Sequence, residues 1–207
     1  MPPDERRAAI VAAATPLVCN HGANVTTREI AEAAGIAEGT IFRVFPDKDA
    51  VIRAVVAKVL DPAPYVRALR DIDPDQDVER VLSQAVDAMR TRLESVWQIM
   101  WMLRLGGPPG SGREQSKYAP PARPDLTEAN QTVADLLVPH RDRLRVTPIE
   151  AARLFRLITF SSAHPAITDG QMLPTSEIVD LLLHGISAPI RPDVVRSEFD
   201  VETVGVM

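Results

Sequence analysis

The chain has a single cysteine, Cys19, so no disulfide can form within it. That usage fits a reducing compartment. Long hydrophobic runs are also missing. None approaches the ~18 consecutive apolar residues of a membrane-spanning helix. The N-terminal "RRAAIVAAATPLVC" places basic residues before an apolar run, as a secretory leader does. However, Asp4 and Glu5 lie in the would-be basic region, and Val18 rather than a small residue precedes Cys19. A leader is therefore not expected, and a cytoplasmic protein is. Positive charge is scarce too. The net charge is −5, so any nucleic-acid role must come from a local surface. The four histidines, His21, His140, His164 and His184, are isolated from one another. No metal, cofactor or catalytic constellation is expected from them. The glycines of "GGPPGSG" have no strand before them and no phosphate-loop lysine after them.

What remains is a helical sequence. The chain has 207 residues, 45% hydrophobic and 25% charged, enough for a core of ordinary size. Apolar residues recur at three- and four-residue spacing, and alternating β-branched runs are absent. Eighteen prolines punctuate the helices. The pattern predicts helices at about 5–20, 27–34, 38–44, 47–60, 77–105, 125–144, 148–163 and 175–187. Pro16 predicts a bend or break near Ala12. "DPAP" at 61–64 and "DIDPDQD" at 71–77 read as interruptions, and residues 106–124 as a flexible loop. The second half of the long helix, "VWQIMWMLRL", is apolar nearly all round, as in a central buried helix.

The most informative stretch is "TTREIAEAAGIAEGTIFRVF", residues 26–45. Thr26 and Glu29 have the spacing of a capping box, so a helix starts at Thr27. Ile30, Ala31 and Ala34 form its inner stripe, and Gly35 supplies the left-handed turn. On the next helix, Ile41, Val44 and Phe45 fall on the core side at about 100° per residue, while Gly39, Phe42 and Arg43 face away. Thr40 lies on the edge. This is the spacing of a helix-turn-helix, whose second helix enters the major groove. A plain αα-hairpin would leave the outward Phe42 unexplained.

This stretch and its flanks, from "AAIVAAATPLVCNHG" (8–22) through "VTTREIAEAAGIAEGTIFRVFPDKDAVIRAV" to Val55, resemble the DNA-binding domain of TetR-family transcriptional regulators. The resemblance covers about the first quarter of the chain. It implies an all-α protein, with a three-helix DNA-binding domain at 1–48 and a helical effector-binding and dimerisation domain at 49–207. The mechanics agree. Thr26, Thr27 and Lys48 are candidate phosphate contacts at helix starts, and Thr40 is another from the edge of the reading helix. Arg43 is the candidate guanine reader, worth about 1–3 kcal/mol of discrimination. Phe42 offers apolar contact, Gly39 is a further DNA-binding candidate on the same outer side, and Arg28 offers a backbone or base contact. Two features depart from the family. A tyrosine common at position 42 is here Phe42, which has no hydroxyl for a phosphate. Residues 1–48 hold five Lys+Arg against six acids, which predicts a shallow salt dependence. Glu38 reads as a helix-dipole partner rather than a cytosine reader.

For the second domain the resemblance implies a ligand cavity and a dimer interface without saying where. Met89, Leu93, Trp97, Met100, Trp101, Arg104, Phe155 and His164 are candidate pocket residues. Trp would supply a flat wall, Met adaptability, and Arg104 or His164 a polar anchor. For any single one of them a filled core is the more ordinary reading. Ala151, Leu154, Leu157, Ile158, Ser161, Ile178, Leu181, Leu182 and Gly185 form two stripes suited to a two-fold four-helix bundle. The expected partners are operator DNA, a small, largely apolar effector and a second copy of the chain. The alternative is a helical ligand-binding or protein-interaction module without DNA binding.

Overall fold

The computed structural model describes residues 2–103, 105, 117–118, 125–165 and 167–185. These residues are all-helical, with no strand among them. Helix α1 (Pro3–His21) begins with Pro at its first position, where the missing N–H costs nothing. Asp4 and Glu5 complement its dipole. The helix runs through Pro16 unbroken, against the expected break. Losing one backbone bond there is offset by Ile10, Val11, Ala14, Val18 and Cys19, buried on both sides of the proline. A one-turn 3-10 helix (Gly22–Asn24) leads to α2 (Thr27–Ala33) and α3 (Glu38–Ile41). Helix α3 is a single α-turn, continued by tighter bonds from the N–H groups of Arg43 and Val44 to the carbonyls of Thr40 and Ile41. It therefore stops short of the expected residue 44.

Helix α4 (Lys48–Leu60) is capped by Asp47, which accepts from the Ala50 N–H at 2.6 Å. Helix α5 (Ala63–Arg70) begins inside the first stretch that reads as an interruption and ends where the second begins. Asp61 accepts from the Ala63 N–H at 3.0 Å, and Tyr65, Val66 and Leu69 bury one face. Helix α6 (Val78–Met102) is the longest described. Helix α7 (Thr127–Leu137) ends earlier than expected because Pro139 breaks the α-ladder, and a 3-10 segment (Val138–Arg143) follows. A capping box of Thr147 and Glu150 opens α8 (Pro148–Ser162). Helix α9 (Thr175–His184) stops at Gly185, whose φ is +72°.

Two hydrophobic cores result. The first joins α1 to α4 and takes in Ile99 and Leu103 from the end of α6, together with Tyr118. The second joins α5, most of α6, and α7 to α9. The N-terminal core extends past residue 48, through Val51, Ile52, Val55 and Val56. Helix α6 thus belongs to both cores, and its last turn lies on α1. Gly22 makes this possible. A Cβ there would sit 2.8 Å from the Met102 carbonyl oxygen. The far side of that last turn faces out, so Trp101 is 79% exposed and Met102 41%. The expectation of a helix buried all round does not hold there.

Candidate nucleic-acid interface

Thr26 caps α2 as its spacing predicts. Its hydroxyl accepts from the Glu29 N–H at 3.2 Å, and its own N–H donates to the Glu29 carboxylate at 2.7 Å. The backbone bond from Thr26, then that from its hydroxyl, holds the Glu29 carboxyl below its usual range. Gly35 makes the corner at φ +64°, where the Ile36 N–H reaches the Ala31 carbonyl at 3.0 Å. Ile30 and Ala31 are buried beneath it.

Helix α3 sits as its pattern requires. Ile41 and Phe45 are 0% and 1% exposed, whereas Phe42 is 51% exposed. Gly39 and Arg43 face solvent, and Thr40 is half-buried at the edge. The Arg43 guanidinium makes no hydrogen bond or ion pair with a described residue, so its fork is available to a base edge. Arg28 is likewise exposed on α2.

Two candidate phosphate contacts are already engaged. The Lys48 ammonium donates to the Ala23 carbonyl at 2.8 Å, which ties the start of α4 to the end of α1. An ammonium has three donors, so a phosphate has to share this one. The Thr27 hydroxyl donates to the Glu38 carboxylate, joining the starts of α2 and α3. Glu38 thus has a specific partner beyond the helix dipole.

Residues that sequence reasoning passed over complete the frame. The Arg7 guanidinium donates to the Val44 carbonyl at 3.3 Å and lies 4.2 Å from the centre of the Phe45 ring. It clamps the exit of α3 to α1. Tyr118 is buried in the N-terminal core, and its hydroxyl donates to Asp49 at 2.7 Å. Lys117 pairs with the same carboxylate. Together these two bonds hold the Asp49 carboxyl below its usual range. No local pattern signals either contact, since the partners are 37 and 69 positions apart.

The candidate effector residues do not share one cavity. Met89, Leu93 and Phe155 are buried in the second core, and Met100 packs against the first. Trp101 points to solvent, and Arg104 lies outside the described residues. Trp97 packs against the second core and meets His164, with ring centres 4.3 Å apart. An open groove of about 530 Å³ lies elsewhere, lined by residues of α8 such as Leu157 and Ser161 and of the segment after it. Among the candidate interface residues, Leu154 and Leu157 are each 45% exposed. Ala151, Ile158, Ser161, Leu181 and Leu182 are half-buried and Gly185 is exposed. Ile178 is 1% exposed, so it packs inside its own chain and is not offered to a partner.

No group of three or more His, Cys, Asp or Glu among the described residues could hold a metal. Burial pushes the Cys19 thiol up, away from the reactive thiolate. No helix among the described residues is long and apolar enough to cross a membrane.

A docked helix with an outward Phe–Arg pair, after a one-glycine corner, defines a helix-turn-helix DNA-binding protein. Residues 10–55 match the family model described as bacterial regulatory proteins, tetR family. The match identifies the N-terminal domain of the chain as one of that kind and does not extend beyond it. No curated protein matches the chain. Among solved structures, a TetR-family regulator from Streptomyces coelicolor is similar at TM-score 0.56 and 19% identity, over 89% of this chain and 79% of that one. A TetR-family regulator from Mesorhizobium loti is similar at TM-score 0.55 and 19% identity, over 86% and 92%. FadR from Bacillus subtilis, in complex with stearoyl-CoA, is similar at TM-score 0.53 and 15% identity, over 87% and 99%. At these identities the likeness is one of fold.

Proposed function

We propose that the protein is a dimeric repressor that binds a near-palindromic operator and leaves it when a small, largely apolar effector binds its helical domain. The observation that carries this reading is the orientation of α3. Ile41 and Phe45 are its anchors, and Phe42 and Arg43 are turned outward. In a two-fold dimer the two reading helices stand roughly 34–36 Å apart, one turn of duplex. The exposed Leu154 and Leu157 on α8 supply an apolar face for that pairing.

Signal transfer from effector to reading head runs through α4 and α6. The Arg92 guanidinium on α6 donates to the carbonyls of Leu60 and Asp61 at the end of α4, at 3.0 and 2.8 Å. Further along α6, Gln98 donates to Asn20 of α1 at 3.2 Å. A ligand that moves α6 therefore pulls on both α4 and α1. Coupling of about 1–3 kcal/mol empties an operator partly or fully. FadR, found with stearoyl-CoA, shows that this fold is compatible with a ligand.

A gel shift on the DNA upstream of the gene tests the reading. The wild type shifts a fragment at low salt. Arg43→Ala weakens the shift and relaxes preference at one guanine by about 1–3 kcal/mol. If the wild type shifts no fragment, a helical ligand-binding or interaction module without DNA binding takes its place.

A further inference from the structure

Buried polar atoms in folded proteins almost always have a partner, and each exception calls for an explanation. Among the described residues, three buried side-chain atoms have none: Trp97 Nε1, Arg156 Nε and Thr159 Oγ1. They are neighbours. Arg156, Thr159 and Phe160 lie three and four positions apart on α8, hence on adjoining parts of its surface. The Phe160 ring meets Trp97 of α6 edge-on at 5.0 Å. Each of the three atoms can donate a hydrogen bond.

The arginine is the unusual member. Its guanidinium has no ion pair or hydrogen bond with a described residue. Helix α8 offers it no internal counter-ion. Its one acid is Glu150, whose carboxylate is taken up by the Thr147 cap at 2.7 and 3.0 Å. A partly desolvated guanidinium without an anion is costly. Beside it, Trp97, Phe160 and His164 make an aromatic wall. All four side chains are only partly covered or exposed, so a small molecule reaches them without opening the core.

We propose that this seam between α6 and α8 binds an organic carboxylate with an apolar body. The Arg156 fork takes the carboxylate in a bidentate pair, and the body lies on Phe160 and Trp97. Thr159 and the Trp97 indole N–H supply further donors as the side chains adjust. The proposal names the chemical class of the effector and so rests on the ligand-controlled reading given above. It places the polar anchor on Arg156 of α8 rather than on Arg104 or His164. The open groove on the opposite flank of α8 plays no part in it.

The test uses Trp97 emission in the full-length Trp101→Phe protein, with no DNA present. The probes are 1-naphthylacetate and decanoate, each paired with its uncharged amide. Both acids should change the emission saturably and bind about tenfold or more tightly than their amides. Arg156→Gln should bring each acid down to the level of its amide and leave the amides unchanged. Its melting temperature should hold or rise, because an unpaired charge is removed; a merely structural arginine would lower it. Arg156→Lys, which keeps the charge without the fork, should fall in between and serves if the glutamine variant does not fold. Equal binding of acid and amide, unchanged acid binding in both variants, or no saturable response to either acid overturns the proposal. Because no DNA is present, such a failure leaves the operator-binding reading intact. A failed gel shift likewise leaves this site standing.

Discussion

Arg7 does at the residue scale what no single residue of the helix-turn-helix can do for itself. The Val44 carbonyl lies just past α3 and accepts none of the tighter bonds that continue that helix. The Arg7 guanidinium donates to it and stacks on the Phe45 ring. A cation over an aromatic ring at an exposed site contributes about 0.5–1 kcal/mol. Arg7→Ala should lower stability by roughly 1 kcal/mol in urea unfolding, counting the lost bond. It should also weaken operator binding, because Arg43 is held from an exit that is no longer clamped. Arg7→Lys should recover only part of both losses, since it keeps the charge and loses the planar fork. An Arg7→Ala protein as stable as wild type would remove the clamp from this account.

Helix termini govern stability at the element scale. Glu29, Asp77, Asp125 and Glu150 all have carboxyl groups held below their usual range. The leading causes are the Thr26 N–H, the Glu79 N–H, the Thr127 hydroxyl and the Thr147 hydroxyl respectively. A carboxylate depressed in the folded state contributes stability that is fully present above its unfolded pKa, about 4. That contribution fades as pH falls through the lower folded value. The urea midpoint should therefore hold from neutral pH to about 5 and drop below about 4. The double variant Glu29→Gln, Glu150→Gln should show a shallower acid drop. An equally steep drop in that variant would assign the acid sensitivity to other groups.

Two glycines share a positive φ and differ in what surrounds them. Gly35 and Gly22 have nearly the same φ, +64° and +59°. A Cβ at Gly35 would meet nothing within 4 Å, whereas one at Gly22 would meet the Met102 carbonyl oxygen at 2.8 Å. Gly35→Ala therefore carries only the left-handed cost, roughly 1–2 kcal/mol. At about 2–4 °C per kcal/mol for a chain of this size, the drop is measurable. Gly22→Ala should cost more, since a backbone atom has to give way, and the loss falls where α6 rests on α1. Equal melting temperatures for the two variants would mean that this contact is loose.

The whole molecule turns on α6 and α8. Helix α6 contributes to both cores, so a displacement of one core reaches the other through one rod. Helix α8 presents Leu154 and Leu157 to solvent, each 45% exposed. Leu157→Glu should give a monomer by light scattering at micromolar concentration and reduce operator binding, because two reading heads are no longer linked. A variant that stays dimeric would move the interface to another face.

The sequence by itself determined what short-range geometry controls. The box at Thr26, the corner at Gly35 and the inward Ile41 and Phe45 need only neighbours three or four positions away. Hydrogen bonds and side-chain contacts at that spacing follow from the helix repeat. Helix α5 escaped that reading because flanking prolines masked a stripe of only eight residues. Tertiary structure alone decided the rest. It engaged Lys48 with Ala23, Arg7 with Val44, Arg92 with the end of α4 and Tyr118 with Asp49. It also scattered the candidate pocket residues between two cores and left Trp101 in water. Those outcomes depend on which surfaces meet once the helices pack, and residues tens of positions apart carry no local pattern that says so.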